Sequence, residues 1–329
     1  MTKKTFFTRR RFLRSALAVP AASLSLPGLA QAPTSKIIIS WPPGGLTDAV
    51  ARLLAEKLST VMKRTIIVQN RPGAGGQVGT SQFKSMPPDG ETVLLASLSE
   101  AMLSAVTYAK LPYDPEKDLL PVSLIADFPF VLATSAQGPA SLSDFMAWAK
   151  QNPKNVSIGC AGIGTPSYYH GIMLGKKGGF DVNMIPFLGG APLMTALAGG
   201  HVVAAMNAFG PDMVGMHRAG RTRIVGITGE QRSTHPEFTS VPTFTEAGLP
   251  TIPPGWYGLF LPAGASAQTV QTWNQAIGEV LKTEEIRTRF SDFGLSTRGT
   301  SSQGLGEIMR RDTALWTEVF KTNDFQKIS

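Results

Sequence analysis

The chain is 329 residues long, with 43% hydrophobic and 16% charged residues. That composition suits a packed globular protein with room for two domains and argues against a disordered chain. The formal charge of +8 is uneven: six of the 31 basic residues (Lys3, Lys4, Arg9, Arg10, Arg11 and Arg14) fall in the first 32, which hold no acid, so 25 basic face 23 acidic residues afterwards, a net of +2. A nearly neutral body has no electrostatic footprint for nucleic acid or an anionic membrane. The single cysteine, Cys160, excludes an internal disulfide and every paired-cysteine zinc or redox motif.

Residues 1–32 read as an export signal. A basic start leads into the apolar run Ser15–Leu29, and Ala30 and Ala32 give a small-x-small cleavage pattern, with the cut after about Ala32. Thr8-Arg9-Arg10-Arg11-Phe12-Leu13-Arg14 resembles the twin-arginine signature, with a general export signal as the alternative. Either route leads to the bacterial periplasm. No later apolar run reaches the roughly 20 residues that span a bilayer.

Lys36–Ser40 is a β-branched run, followed by Trp41-Pro42-Pro43-Gly44-Gly45-Leu46-Thr47-Asp48 and then Val50, Leu53, Leu54, Leu58 and Val61 at helical spacing. This predicts a strand, a glycine-rich loop and a helix, with Thr47 as N-cap and Asp48 in the first turn. Thr65–Val68 and Thr92–Ala96 predict further strands, separated by the Asn70–Gly76 loop and a short helix. Val122–Thr134 reads as one long extended stretch containing Pro129, and a helix opens at Ser141. Val156–Cys160, Asn183–Pro186, Val202–Met206 and Arg223–Thr228 predict a second set of strands. Pro166, preceded by Thr165, suits the first position of a helix. Trp256–Leu261 is again extended, and Thr269–Lys282 and Leu305–Phe320 are amphipathic helices. Two α/β sets joined by extended crossovers predict a two-lobed binding protein with a hinge.

Three glycine-containing loops precede helices: Pro43–Asp48, Gly162–Pro166 and Gly189–Pro192. The head of a helix offers unpaired N–H groups and a partial positive charge, which suits a carboxylate or phosphate. All three loops fall at the carboxyl ends of strands, the edge where open α/β sheets bind ligands. Gly73–Gly79 lacks the third glycine of a dinucleotide fingerprint, and no P-loop or hydrolase elbow occurs. The four histidines lack metalloprotease spacing, and three stand beside glycine or proline as surface residues often do. Cys160 reads as a small buried hydrophobe.

These motifs, in order, resemble those of the Bug family, the periplasmic solute-binding receptors of tripartite tricarboxylate transporters. The resemblance rests on Trp41-Pro42-Pro43-Gly44-Gly45-x-Thr47-Asp48, Asn70-Arg71-Pro72-Gly73-Ala74-Gly75-Gly76, Pro88-Asp89-Gly90 and Leu111-Pro112-Tyr113-Asp114-Pro115 with Asp118. It continues through Gly162-x-Gly164-Thr165, Val241-Pro242-Thr243 with Glu246-Ala247-Gly248, and Trp256-Tyr257-Gly258-Leu259. It implies a two-lobed α/β fold of the type II, Venus-flytrap kind, with two mixed or parallel sheets flanked by helices and joined by extended crossover strands. The lobes are then 33–130 with 256–329, and 131–255. It implies no catalysis and no cofactor. The partners are a small carboxylate and the membrane permease subunits of such a transporter, with the receptor a monomer. An exported cofactor-binding enzyme and a ligand-sensing partner of a sensor kinase are the alternatives.

In relatives, two pincer loops hold the ligand carboxylate through backbone N–H groups. They match Gly44–Asp48 and Gly162–Thr165 here. The amides of Gly45, Leu46 and Thr47 are therefore expected to bind the carboxylate, with Asp48 capping the helix and ordering waters. Gly164 and Thr165 are expected to meet the ligand from the second lobe, and Asn207 and Phe187 to line the wall. Trp41, Gly44, Ser97, Gly162, Tyr168 and Ala191 complete the expected site. The chain departs from the family at Tyr168, where a histidine is usual, at Phe187, where a tyrosine is usual, and at Val203–Asn207, where two acids are lost. Those changes point to a monocarboxylate or aromatic acid with an apolar body rather than citrate.

Overall fold

A computed structural model describes Thr2, residues 34–250 and residues 253–329. The expected export signal, Thr2 apart, lies outside the described residues. The strands are β1 (Ser35–Ile39), β2 (Ile66–Asn70), β3 (Thr92–Ser97), β4 (Leu119–Phe128), β5 (Phe130–Ser135), β6 (Val156–Cys160), β7 (Val182–Pro186), β8 (Ala204–Ala208), β9 (Thr222–Ile227), β10 (Gly255–Pro262) and β11 (Ser296–Thr297). The helices are α1 (Leu46–Met62), α2 (Gln77–Phe83), α3 (Ser104–Thr107), α4 (Pro115–Asp118), α5 (Leu142–Gln151), α6 (Pro166–Gly178), α7 (Gly190–Ala198), α8 (Pro211–Arg218), α9 (Ala267–Lys282), α10 (Glu284–Asp292) and α11 (Ser302–Thr322). None of the described helices is long and apolar enough to cross a membrane.

Two mixed sheets carry the two lobes. The first runs β11-β4-β10-β3-β1-β2 and the second β7-β6-β8-β5-β9. Each contains three parallel neighbours, β2, β1 and β3 in one and β7, β6 and β8 in the other. An antiparallel strand lies beside each trio, β10 against β3 and β5 against β8. The expected single stretch through Pro129 is two strands in different sheets. Proline cannot donate to a ladder, so Pro129 falls between β4 and β5, where the chain passes from one lobe to the other. It returns at β10, which pairs with both β3 and β4.

The isoleucines of β1 are fully buried because helices cover both faces of its sheet. Val50, Leu54 and Leu58 of α1 present one apolar stripe to it. In β5 and β8 alternate residues serve different cores: Leu132, Ala204 and Met206 join the large one, whereas Val131, Ala133 and Ala205 join a smaller one with Leu193, Leu197 and Phe209. The large core spans both lobes. Tyr169 of α6 packs edge-on against Trp316 and Phe320 of α11 and is tilted against Phe325.

Some expectations need correction. The N-cap of α1 is Gly45, not Thr47, which is the second residue of the helix. His170 and His235, expected to be surface residues, are buried. His170 donates from Nδ1 to the Pro166 carbonyl at 2.8 Å, and burial holds its pKa down at about 4. Helix α10 and the edge strand β11 went unread because both are short.

A buried bond links the β10 crossover to α11. Trp256 Nε1 donates to Asp312 Oδ2 at 2.8 Å, with Asp312 only 2% exposed. Trp256→Phe leaves that oxygen unpaired and is expected to cost about 3 kcal/mol, combining a lost partner and a small void. Urea denaturation measures it, and an unchanged midpoint would show the bond to be dispensable.

Candidate functional site

The carboxyl ends of β1, β3, β6, β7 and β8 open onto one cleft. Three helix heads line it: Gly45 caps α1, Thr165 caps α6 and Gly189 caps α7. The amides of Leu46 and Thr47, of Ser167 and of Gly190 occupy the first two positions of those helices, where no intrahelical acceptor exists. Among the described residues no other backbone carbonyl accepts from them. Neither lysine, arginine nor histidine lines the cleft. Among the described lining residues the helix heads are therefore the groups that offer partial positive charge.

Each loop is fixed from behind. Gly44 adopts φ +92°, a left-handed conformation that glycine takes without strain. The Asp48 carboxylate accepts from the Gly44 amide at 3.1 Å, from Asn70 Nδ2 at 2.9 Å and from Arg52 through Nε and Nη2, both at 2.9 Å. Burial opposes ionisation of Asp48, but the bonds from Arg52, Asn70 and Gly44 prevail and hold its pKa below the usual value. Thr47 Oγ1 meets the Tyr257 hydroxyl at 2.8 Å, tying the head of α1 to β10. In the second lobe Thr165 Oγ1 donates to the Gly162 carbonyl at 2.8 Å and lies 2.9 Å from Ser167 Oγ.

Glu100 ties two parts of the first lobe's wall together. It is fully buried in the wide helical turn Ser99–Leu103 after β3. Its Oε1 accepts from Trp41 Nε1 at 2.6 Å, and its Oε2 accepts from the Ser97 amide at 3.1 Å and from the Ser97 hydroxyl. Trp41 and Ser97 both line the cleft. Burial pushes the Glu100 pKa from 4.5 up to about 7 against the pull of those donors.

Of the expected site residues, Trp41, Gly45, Leu46, Thr47, Ser97, Thr165 and Asn207 line the cleft. Gly44, Asp48, Gly162, Gly164, Tyr168, Phe187 and Ala191 lie outside the lining. Asp48 turns inward to Arg52 and Asn70 and takes the Gly44 amide for itself. Phe187 packs behind Gly159, on the smaller core. Tyr168 stacks edge-on against Tyr169. Gly162 and Gly164 meet the first lobe instead: a Cβ on Gly162 would stand 3.4 Å from Gly75 Cα, and one on Gly164 would stand 2.7 Å from the Tyr108 ring. Tyr108 donates its hydroxyl to the Ile163 carbonyl at 2.9 Å. Ala191 faces Gly44 across the same junction at 3.7 Å from its would-be Cβ. The loop tips of the two lobes are thus in contact.

Sequence reading missed Ser99, Phe128, Phe130 and Ser167, which also line the cleft, as do Tyr257 and Gly190 of the third glycine loop.

A model of the tripartite tricarboxylate transporter family receptor matches residues 50–324. Protein BugT of Bordetella pertussis is 32% identical over 262 residues, covering 79% of this chain and 79% of its own. Among solved structures, a protein of R. palustris with adipate shares 26% identity at a TM-score of 0.84, over 90% of this chain and 98% of its own. MatC from Rhodopseudomonas palustris with bound malate shares 28% identity at a TM-score of 0.80, over 87% of this chain and 98% of its own.

The position of Glu100 makes stability depend on pH. Its folded pKa of about 7 exceeds the ordinary 4.5, so its favourable contribution is complete below 4.5 and is lost as pH rises through about 7. The stability difference between wild type and Glu100→Gln should therefore shift by about 3 kcal/mol in favour of the variant from pH 4.5 to pH 8. Chemical denaturation across that range checks it; a difference that does not vary with pH would contradict the assignment.

Proposed function

The chain belongs to the tripartite tricarboxylate transporter receptor family, and on that premise we propose that it captures a small carboxylate between its lobes and delivers it to a membrane permease of the same transporter. The family is one of solute receptors, not of enzymes. The observation that carries the reading is the convergence of three helix heads, with free amides, on a cleft lined by no cationic side chain. Such donors bind an anion without the desolvation cost of burying a lysine or arginine.

The carboxylate sits at the amides of Gly45, Leu46 and Thr47, met from the second lobe by Thr165 and Ser167 and by Gly190. Trp41, Phe128, Phe130 and Tyr257 supply an apolar wall, which suits a monocarboxylate or an aromatic acid with an apolar body. Adipate and malate, named with the two solved relatives, belong to the same broad class of carboxylates. The lobes, 33–130 with 256–329 and 131–255, close over the ligand, and the closed monomer docks on the permease. Residues 1–32 direct export to the periplasm by the twin-arginine route and are removed after about Ala32.

Thermal-shift screening against carboxylic acids tests this, since a ligand held only by the folded state stabilises it by about 2.7 kcal/mol at 100 times its Kd. Benzoate-like acids should raise the melting temperature more than citrate, and the reverse order would contradict the proposed class. Leu46→Pro removes the amide, and Leu46→Ala, which keeps it, controls for the loss of the buried side chain. Proline is well tolerated at the first helical position, and Gly45 already holds the extended conformation required before it (φ −93°, ψ −179°). The variant should keep its helical circular dichroism and lose about tenfold or more in affinity for the acid. Unchanged affinity would remove the α1 head from the site.

A further inference from the structure

Behind the second lobe's wall lies an acid that carboxylate capture leaves unused. Asp212 is the second residue of α8, after the cap Gly210 and Pro211. Both carboxylate oxygens are shut off from solvent, and neither completes a hydrogen bond with a described residue.

Its position coincides with the helix heads that hold the ligand in the reading above. A Cβ on Gly190 would stand 2.4 Å from Asp212 Oδ2, so the acid lies directly behind the head of α7. A Cβ on Gly210 would stand 3.1 Å from Oδ1 and 2.9 Å from Leu46 Cβ, so the first residue of α1, from the other lobe, closes over it. A Cβ on Gly45 would stand 4.0 Å from the Gly190 amide nitrogen, so the two heads adjoin. Gly45, Leu46 and Gly190 all line the cleft. A carboxylate held by these amides therefore has a second carboxylate immediately behind them.

The charged groups on the surrounding elements are engaged elsewhere. On α1, Asp48 pairs with Arg52, and Lys57 with Glu56 and Glu285. On β9, Arg223 donates to the Gly138 carbonyl at 3.2 Å. On α8 itself, Arg218 pairs with Glu237, and His217 Nδ1 accepts from the Ile224 amide at 3.4 Å. Helix α7 and strand β8 carry no ionisable side chain. Tyr257 of β10 bonds to Thr47, and its ionisation is opposed by burial first and then by the charges of Glu100 and Asp212. Glu100, the other buried acid, is held by Trp41 and Ser97. Asp212 is left with burial, which pushes its pKa up to about 6, against only the amides of Met213 and of Asp212 itself.

Two carboxylates this close in a site shut off from water repel strongly, and the one without partners is the one that gives up its charge. We propose that the receptor takes up its acid together with a proton, which Asp212 carries while the lobes are closed on the ligand. The inference rests on the helix heads holding the ligand's carboxylate. The proton comes from solvent, forms the O–H bond of the Asp212 carboxyl, and returns to solvent when the ligand leaves. The sign follows from linkage. A bound anion raises the Asp212 pKa above its value of about 6 in the empty protein, so affinity is greatest below about 6 and falls by up to about tenfold per pH unit above it.

Calorimetric titration with benzoate and with hexanoate, both ionised throughout the range from pH 6 to pH 8, tests this. Titrations near pH 7 in phosphate and in Tris, buffers of very different ionisation enthalpy, count the protons taken up. About one proton per bound acid is expected, with affinity about tenfold or more weaker at pH 8 than at pH 6. Asp212→Asn keeps the shape and cannot titrate. In that variant the uptake should vanish and affinity should vary by less than about threefold over the range, with no loss of melting temperature, since a buried unpaired charge is deleted. Glu100→Gln should retain the uptake. Binding without proton uptake overturns the inference and leaves carboxylate capture standing. So does uptake that survives in Asp212→Asn or vanishes in Glu100→Gln. Failure of both acids to bind overturns the inference together with the monocarboxylate reading.

Discussion

The unpaired amides at the heads of α1, α6 and α7 are the constraint around which the rest of the molecule is arranged. A helix head attracts an anion only at short range, so several must be aimed at one point. Two mixed sheets achieve this by directing the carboxyl ends of their parallel strands at each other. The crossovers at Pro129 and at β10 keep the two edges opposed. Side-chain charge is spent elsewhere: Arg52 is committed to Asp48, outside the cleft, and Glu100 and Asp212 lie behind its walls.

The supporting contacts explain why the loops hold their shape. Asp48 closes the Gly44 turn, Thr47 ties α1 to β10, and Glu100 holds Trp41 and Ser97 in one network. Each of these bonds is made by a group that faces away from the ligand space or only borders it. A preformed set of donors loses little freedom on binding, which fits the carboxylate capture proposed for this site.

Much of this was legible in the sequence, and the rest was hidden for identifiable reasons. The β1 run, the proline-led start of α6 and the three glycine loops announce themselves through local chemistry. Thr47 looked like a cap because threonine usually is one. Gly45 holds that position because Asp48, three residues on, reaches back to the Gly44 amide, and Arg52 and Asn70 fix it there. Asp48 for the same reason is an anchor of the loop and not part of the cleft lining. Gly162 and Gly164 carry a recognisable motif, yet they are occupied by Tyr108 and Gly75 from the other lobe, a tertiary contact that no local pattern encodes. Glu100 and Asp212 were the least visible: their importance comes from what burial withholds from them, and burial belongs to the whole fold.

The most direct measurement is a crystal structure with a bound acid of the kind that raises the melting temperature. Its carboxylate oxygens should lie within hydrogen-bonding distance of amides at two or more of the three helix heads, with no lysine or arginine turned in to meet them. Density for the acid away from those heads, or a carboxylate paired with a basic side chain, would contradict the central claim.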